Sequence, residues 1–498
     1  MSSLIELISQ VLWEYILIYL LIGAGIYFTI RSRLVQFRYF FHAWKIMFTR
    51  RAKDDNSISS FQALCTSLAA HVGTGNLAGV AIAIYIGGPG AIFWMWIVAV
   101  LGMSSSFIEN TLAQIYKTNN KDGSFRGGPA YYIEKALGFR WLGLIFSSLL
   151  LIAFGFAFNS VHANSVAASL SGGSLQLTQQ ELGFILAAIT SLIVFRGIHT
   201  ITRFAEKVVP IMALAYLGIA LVVVSARIEE LPAVFSLIFS HAFGFEQAVG
   251  GGLGYTVAQA MIQGIKRGLF SNEAGMGSGP NAAATATPWP PHPAAQGIVS
   301  MISVFIDTIV ICTATAAIIL LSGQLESGSD LNGIQLTQAA LTSVAGVWGE
   351  WFIMIAVFFF GLTSIVANYY YGESNLLFIK ESRFLLLCYR CVVVTVVYLG
   401  ATSSMESVWL IADLAMGAMA LINLVVIVLL SGPVFKVLKD YDQQLSKGLI
   451  PTFCRSDFPF LNKTMDADVW VQTSRPDDKS NDDDNRSPIQ DLPELEQS

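Results

Sequence analysis

Apolar residues gather along this chain in runs of about 20, the length a helix needs to cross a bilayer. Short polar or basic stretches separate the runs. They predict helices near residues 11–30, 61–86, 91–116, 141–170, 181–195, 205–226, 243–267, 296–322, 347–379, 384–400 and 406–431, eleven in all. Lys and Arg collect on the cytoplasmic side of a membrane protein, and they test this count independently. With the N-terminus outside, every Lys and Arg except Arg227 falls in an inner segment or in the tail after 431. The C-terminus is then cytoplasmic.

One run stands apart. Cys65 to Gly90 is apolar enough to lie in a bilayer, yet Gly73, Thr74, Gly75 and Asn76 sit at its centre. Glycine weakens a helix, and small polar groups have no use against lipid. The stretch reads as a membrane helix broken in mid-span, which is tolerated only where the loose backbone is buried in protein or lines a wet cavity. A second glycine cluster, Gly250, Gly251, Gly252 and Gly254, falls in the sixth helix counted from the first broken one. Five helices then lie in each half, with opposite starting sides. Interruptions at corresponding positions of two inverted halves point to a secondary transporter with its site near the midplane. Tight glycine packing between helices is the alternative.

The expected division is therefore an extra N-terminal helix with its basic connection (1–60), a first five-helix repeat (61–226), a second (227–431), and an acidic cytoplasmic tail (432–498). The last stretch of that tail, 475–498, is acidic, poor in aromatics and rich in Pro, Ser and Asn, the composition of a solvated and partly disordered segment.

Composition narrows the class. At 54% hydrophobic and 13% charged, the chain of 498 residues is too apolar for an ordinary soluble enzyme. It is an all-α polytopic membrane protein. The first run has no Lys or Arg before it and is followed by Arg31, Arg33 and Arg38, the reverse of a signal peptide's charge order. It reads as a retained helix. The five cysteines lie in predicted helices or the tail and imply no disulfide framework, and Cys388 and Cys391 share a helix face. There is no HExxH, GxSxG or Walker loop, and GTGN is too short to cradle phosphates. No enzyme and no nucleic-acid partner is expected.

The broken helix offers two kinds of site. Amides freed at Thr74 and Gly75, beside the start of the half-helix near Asn76, suit a carboxylate. Carbonyls freed at Ala69, His71 and Val72 suit a hard cation such as sodium, and Asn76 can add a side-chain oxygen. Gly251 and Gly252 are the corresponding backbone candidates in the second cluster. Thr363 and Ser364 lie inside an apolar helix, either as ligands or bonded back to their own helix. Asn159, His162 and Asn164 form a polar stripe that lines a site or joins helices. Asp307 and Asp413 need a reason to be intramembrane, because a charge at helix centre costs roughly 2.5 to 3.5 kcal/mol. Asn272 and Glu273 gate the inner mouth or cap a helix.

Taken together, VGTGNLAGVAIAIYIGGPGAIFWMW, RGGPAYY, EKVVPIMALAY, GIKRGLFSNEAGMGS and FIDTIVICTATA resemble the alanine or glycine:cation symporters, over most of residues 60–430. That family is similar in fold to the leucine-transporter type, a ten-helix core of two inverted five-helix repeats, here with one extra N-terminal helix. The resemblance implies sodium-coupled import of a small neutral amino acid across a prokaryotic cell (inner) membrane, with no cofactor beyond sodium as coupling ion. It implies a carboxylate held at Thr74 and Gly75. It also implies a sodium between the carbonyls of Ala69 and Val72 and the hydroxyls of Thr363 and Ser364. His162 departs from the family pattern, where Gln is expected, and His71 is unusual before VGTGN. A symporter for another neutral amino acid such as glutamine, and a cation channel or sensor on the same core, are the alternatives.

Overall fold

The computed structural model describes residues 2–49, 58–120, 123–171, 177–196, 198–244, 253–325 and 331–471. Its first helices are α1 (Ser2–Leu12) and α2 (Ile18–Arg31), followed by the short α3 (Val35–Arg38) and α4 (Phe40–Phe48). The broken span comprises α5 (Ser60–His71), a wide π-helical turn at Gly75–Gly79, and α6 (Val80–Gly87), with a bend of 50° between its halves. A capping box starts α5: Ser59 Oγ accepts the Gln62 amide at 3.2 Å, and Gln62 Oε1 accepts the Ser59 amide at 3.0 Å.

After α7 (Ala91–Ile115), a two-stranded antiparallel hairpin pairs β1 (Thr118–Asn119) with β2 (Phe125–Arg126). Next come α8 (Pro129–Leu137), α9 (Arg140–Leu150), a π-helical stretch at Leu151–Phe158, and α10 (Asn159–Ser171). These lead to α11 (Gln179–Val194), α12 (Ile198–Ala226), α13 (Leu231–Phe243), α14 (Leu253–Asn272) and the single turn α15 (Gly279–Ala283). The remainder is α16 (Pro293–Val304), a π-helical stretch at Phe305–Cys312, α17 (Thr313–Leu321), α18 (Ile334–Ile379), α19 (Arg383–Thr402) and α20 (Met405–Ser446). Widened turns of this kind tilt a helix and re-aim the side chains after them. A fourth, Trp13–Leu17, joins α1 to α2.

Among the described residues eight helices are long and apolar enough to cross a membrane, nine when the bent pair is taken as one span. Two of the expected crossings fall short of that measure. The span expected at 181–195 is α11, of 16 residues, and the one expected at 243–267 is represented by α14, which starts at Leu253 and runs on to Asn272. Helix α13 occupies what the pattern read as an outer connection. LPAVFSLIFSHAF carries Pro in its first turn, where its missing N–H costs nothing, and Gly244 closes the helix at φ 71. Gly250, Gly251 and Gly252 lie outside the described residues.

The boundary expected at 431 falls inside α20, which runs on to Ser446. The chain after it folds back against the core, burying Phe453, Phe458, Leu461, Met465 and Val469. Arg455 staples this return with hydrogen bonds to the carbonyls of Asn462, Met465 and Asp466, and Trp470 Nε1 donates to the Gln114 carbonyl at 2.9 Å. Regular spacing is absent here, so the hydropathy pattern could not show it. Segment 475–498 lies outside the described residues.

Candidate functional site

Every residue from Ala63 to Ile84 is buried, so the break between α5 and α6 lies wholly inside protein. Its backbone is held by its own side chain. Asn76 Oδ1 accepts the Gly73 amide at 2.8 Å, and the Thr74 carbonyl accepts the Ala78 amide at 2.7 Å. Among the described residues no hydrogen bond is recorded from the amides of Thr74 or Gly75, as expected where a helix begins.

Neighbouring helices close directly on these glycines. A Cβ on Gly73 would stand 2.2 Å from Ser364 Oγ and 3.1 Å from His162 Cε1, and one on Gly75 would stand 2.9 Å from the Phe270 ring. Only glycine permits that approach. His162, on α10, places Nδ1 2.8 Å from Thr74 Oγ1. On the α6 side, Phe158, Phe270 and Trp409 form a continuous aromatic wall with ring centroids 4.4 and 4.6 Å apart. Behind Trp409 the Arg267 guanidinium lies 4.5 Å from the ring centroid and donates to Asp413 at 2.7 Å. Asp413 is thus paired.

Asp307 is placed differently. Its carboxylate is fully buried and takes hydrogen bonds from Asn76 Nδ2 at 2.6 Å, Ser271 Oγ at 2.7 Å and Thr308 Oγ1 at 2.8 Å. Asn76 also donates to Ser271 Oγ at 3.0 Å. The first break is therefore stitched to the end of α14 and to the widened turn that carries Asp307.

The end of α14 is itself an interruption, one that the sequence pattern did not single out; the glycine cluster expected to hold the second break lies, at Gly250 to Gly252, outside the described residues. Between Asn272 and α15 the backbone turns through positive φ at Glu273 (55°), Gly275 (85°) and Gly277 (88°). Asn272 caps this turn, its Oδ1 accepting the Ala274 amide at 3.0 Å. Glu273 accepts from the Ser278 hydroxyl and lies 3.5 Å from His71 Nε2. His71 Nε2 also lies 3.3 Å from Ser67 Oγ, so the ring is engaged by Ser67 and Glu273 and the His71 carbonyl is the cation-ligand candidate.

At the cation end, Ser364 Oγ lies 3.0 Å from the Ala69 carbonyl oxygen and 2.9 Å from that of Phe360. Thr363 Oγ1 lies 2.8 Å from the Phe359 carbonyl oxygen, within its own helix. Both hydroxyls bond back to α18, and Ser364 also joins α18 to α5. The Val72 amide still bonds to the Leu68 carbonyl at 2.7 Å. Asn159 Nδ2 bonds back to the Gly155 carbonyl at 3.3 Å, while its buried Oδ1 has no partner among the described residues. Asn164 reaches the Ser403 carbonyl at 2.6 Å and belongs to helix packing.

Sequence reasoning missed Phe158, Phe270, Ser271 and Asn368. Asn368 lies one turn beyond Ser364, fully buried, with neither amide atom partnered among the described residues. The signal for Ser271 was the run SNEAGMGSG, polar and glycine-rich directly after an apolar helix.

A family model described as the sodium:alanine symporter family matches residues 1–455. The chain belongs to that family. It is 48% identical over 470 residues to the amino-acid carrier protein AlsT of Bacillus subtilis, covering 94% of this chain and 97% of the relative. It is 47% identical to the probable sodium/glutamine symporter GlnT of the same species, over 91% of this chain and 93% of the relative. Against the sodium/alanine symporter AgcS of Methanococcus maripaludis it is 38% identical over 89% and 97%. A member of this symporter family needs a seat for a zwitterion and a seat for a cation. The buried break presents unengaged amides at one end and an all-oxygen set, Ala69 O and Ser364 Oγ, at the other.

Proposed function

We propose that this chain imports a small neutral amino acid, alanine or glycine, coupled to sodium entry and driven by alternating access around the break. The substrate carboxylate sits on the amides of Thr74 and Gly75, with Asn76 beside it and with His162 and Asn159 on the α10 side. Sodium lies between the carbonyls of Ala69 and Val72 and the hydroxyls of Thr363 and Ser364, which rotate from their own helix to the ion. The observation that carries the reading is the tight closure of Phe270, His162 and Ser364 on Gly73 and Gly75, which favours a short side chain. Two of the relatives named above carry sodium in their names, one with alanine and one with glutamine; glutamine is the second reading, and the closeness of the wall argues for the smaller substrate.

The same proposal takes the chain as eleven crossings, N-terminus outside and C-terminus cytoplasmic, with a leucine-transporter-type core of two inverted repeats. The contact of Asn76 with Ser271 supports it, because each belongs to the interrupted helix of one repeat. Gly251 and Gly252 stay in the proposal as substrate-binding backbone of the second cluster.

A neutral zwitterion carries no charge, so the sodium does the electrical work. That is about 2.3 kcal/mol per 100 mV, or roughly fifty-fold accumulation from potential alone. Uptake of labelled alanine, glycine and glutamine into proteoliposomes tests this. Accumulation should require sodium, increase with an inside-negative potential, and rank glutamine last. Uptake indifferent to both gradients refutes symport, and equilibration without accumulation indicates a channel.

A further inference from the structure

The cationic residues flanking the first span are not used by the transport site. The segment from α1 through α3 runs alongside α20, tied at three levels. Trp13 Nε1 donates to the Asp413 carbonyl at 3.1 Å, Tyr27 and Ser431 hydroxyls lie 3.4 Å apart, and Arg38 pairs with Asp442 at 2.8 Å. Both helices therefore leave their apolar stretches at the same level, α2 after the exposed Ile30 and α20 after the exposed Leu429. At that level the two helices diverge around a cleft of 990 Å³ lined by Arg31, Arg33, Arg38, Lys436, Lys439 and Asp442.

Its charge is one-sided. Asp442, the single carboxylate among these, is already engaged by Arg38 and by the Tyr39 hydroxyl. Among the described residues Arg31, Arg33, Lys436 and Lys439 form no ion pair. Arg31 packs against the Phe435 ring and Lys436 against the Phe460 ring, at 5.4 and 4.3 Å from the centroids, so both are held in place along apolar surface.

The turn that presents Arg33 is strained. Arg33 and Leu34 have φ of 56° and 60° in succession, a conformation that residues with a Cβ rarely adopt. It keeps the Arg33 head beside Arg31 and turns the chain into α3 and α4. Those helices bury Val35, Ala43, Ile46 and Met47 and expose Leu34, Phe37 and Phe41. Such a face belongs at the boundary between headgroups and acyl chains.

We propose that this cleft is a binding site for the headgroup of an anionic phospholipid, with its acyl chains on the exposed apolar rim of α2 and α3. A basic pocket at the end of membrane helices is the setting in which acidic headgroups are recognised. The volume falls within the range of about 300–1,000 Å³ common for small-molecule sites. A free phosphate would meet the same cations, but it has no use for the rim of Leu34, Phe37 and Phe41. The bound lipid cements α2 to α20.

The test is native mass spectrometry on the delipidated full chain in detergent. It is titrated with phosphatidylglycerol or with phosphatidylcholine of identical acyl chains, with inorganic phosphate as competitor. Phosphatidylglycerol should be retained selectively. The double substitution Arg33→Gln/Lys436→Gln should weaken retention by about 30-fold, at about fivefold per basic residue, while Lys207→Gln, on exposed α12 surface outside the cleft, leaves it unchanged. Should that double variant fail to purify folded, Arg31→Gln/Lys439→Gln is read in the same way. Equal retention of the two lipids, equal retention by the cleft variant, or displacement by millimolar phosphate overturns the proposal; the last outcome means a simple anion site.

Discussion

The two interruptions that meet at Asn76 and Ser271 handle their loose backbone in opposite ways. In the first, Val72–Gly79, one local side chain closes the turn and the amides of Thr74 and Gly75 stay unengaged among the described residues. In the second, Asn272–Gly279, the amides are taken. Asn272 Oδ1 accepts from Ala274, the Glu273 carbonyl from Met276, and Glu109 from Gly275 at 3.1 Å. Glu109 is fixed in turn by Asn423 Nδ2 at 2.8 Å. A break whose amides are free can seat an anion, whereas one whose amides are bound by a carboxylate on another helix acts as a joint between helices. On the proposed function the first is the ligand seat, and the second serves as the hinge beside it.

The largest effect should come from filling the seat. Gly75→Leu puts a side chain where a Cβ alone would stand 2.9 Å from Phe270. Overpacking of about 3 kcal/mol corresponds to a loss of about 100-fold in substrate binding, with a chain that still purifies as a folded monodisperse species. Normal uptake by this variant would erase the distinction between the breaks.

Damage to the hinge should read out differently. Glu109→Ala leaves the buried Gly275 amide without its acceptor, at a cost of about 1–3 kcal/mol, and removes one of the two acceptors of Asn423 Nδ2, which keeps the Gly275 carbonyl at 2.9 Å. The thermal midpoint falls, and turnover should fall further than substrate affinity, because the seat is intact while the joint is loose. Binding measured by calorimetry beside initial uptake rates separates the two. An affinity loss as large as the rate loss would place Glu109 in the seat instead.

How far the sequence could show this follows from the surroundings of each break. Gly73 to Asn76 interrupts a run that is apolar on both sides, so its polar residues stand out. Asn272 to Gly279 follows Lys266 and Arg267 and precedes further polar residues, so composition reads it as the end of a helix. The glycines at 250–254 are denser and carried the expected second break. Asp307 was visible as an intramembrane acid, but its partner Asn76 is 231 residues away, a pairing that periodicity cannot supply. Ser364 was legible as a polar residue in an apolar helix, and only the fold brings it to the Ala69 carbonyl. The link between α5 and α18 came from family resemblance, not from spacing.

A smaller effect is expected at the cation end of the seat. Thr363→Ala with Ser364→Ala removes two hard oxygen ligands and leaves the carbonyls of Ala69 and Val72 in place. The sodium concentration for half-maximal uptake should rise by about tenfold, equivalent to about 1.4 kcal/mol, with little change in maximal rate at saturating sodium. Unaltered sodium dependence would mean that both hydroxyls serve only their own helix, through the carbonyls of Phe359 and Phe360 they already reach.

The smallest and most specific effect concerns His162. Its Nδ1 lies 2.8 Å from Thr74 Oγ1, so the ring helps to orient the residue whose amide seats the carboxylate. A neutral imidazole and a glutamine amide can both make that contact, but only imidazole can take up a proton and become charged. A proton on this ring puts a positive charge in a seat that, on the proposed function, also takes sodium, and the two cations repel. Transport should therefore need the neutral ring and decline as acidification protonates it. His162→Gln should transport at neutral pH within about threefold of the parent and show a flatter acid limb, because the amide has no proton to gain in that range. His71→Gln is the internal comparison: its ring faces Glu273 and Ser67, at 3.5 and 3.3 Å, on the hinge side of the break. Initial uptake from pH 5 to 8 for the parent and both variants separates seat from hinge. A change confined to His162→Gln assigns the proton effect to the seat, a change confined to His71→Gln assigns it to the hinge, and three superimposed profiles remove both histidines from the coupling.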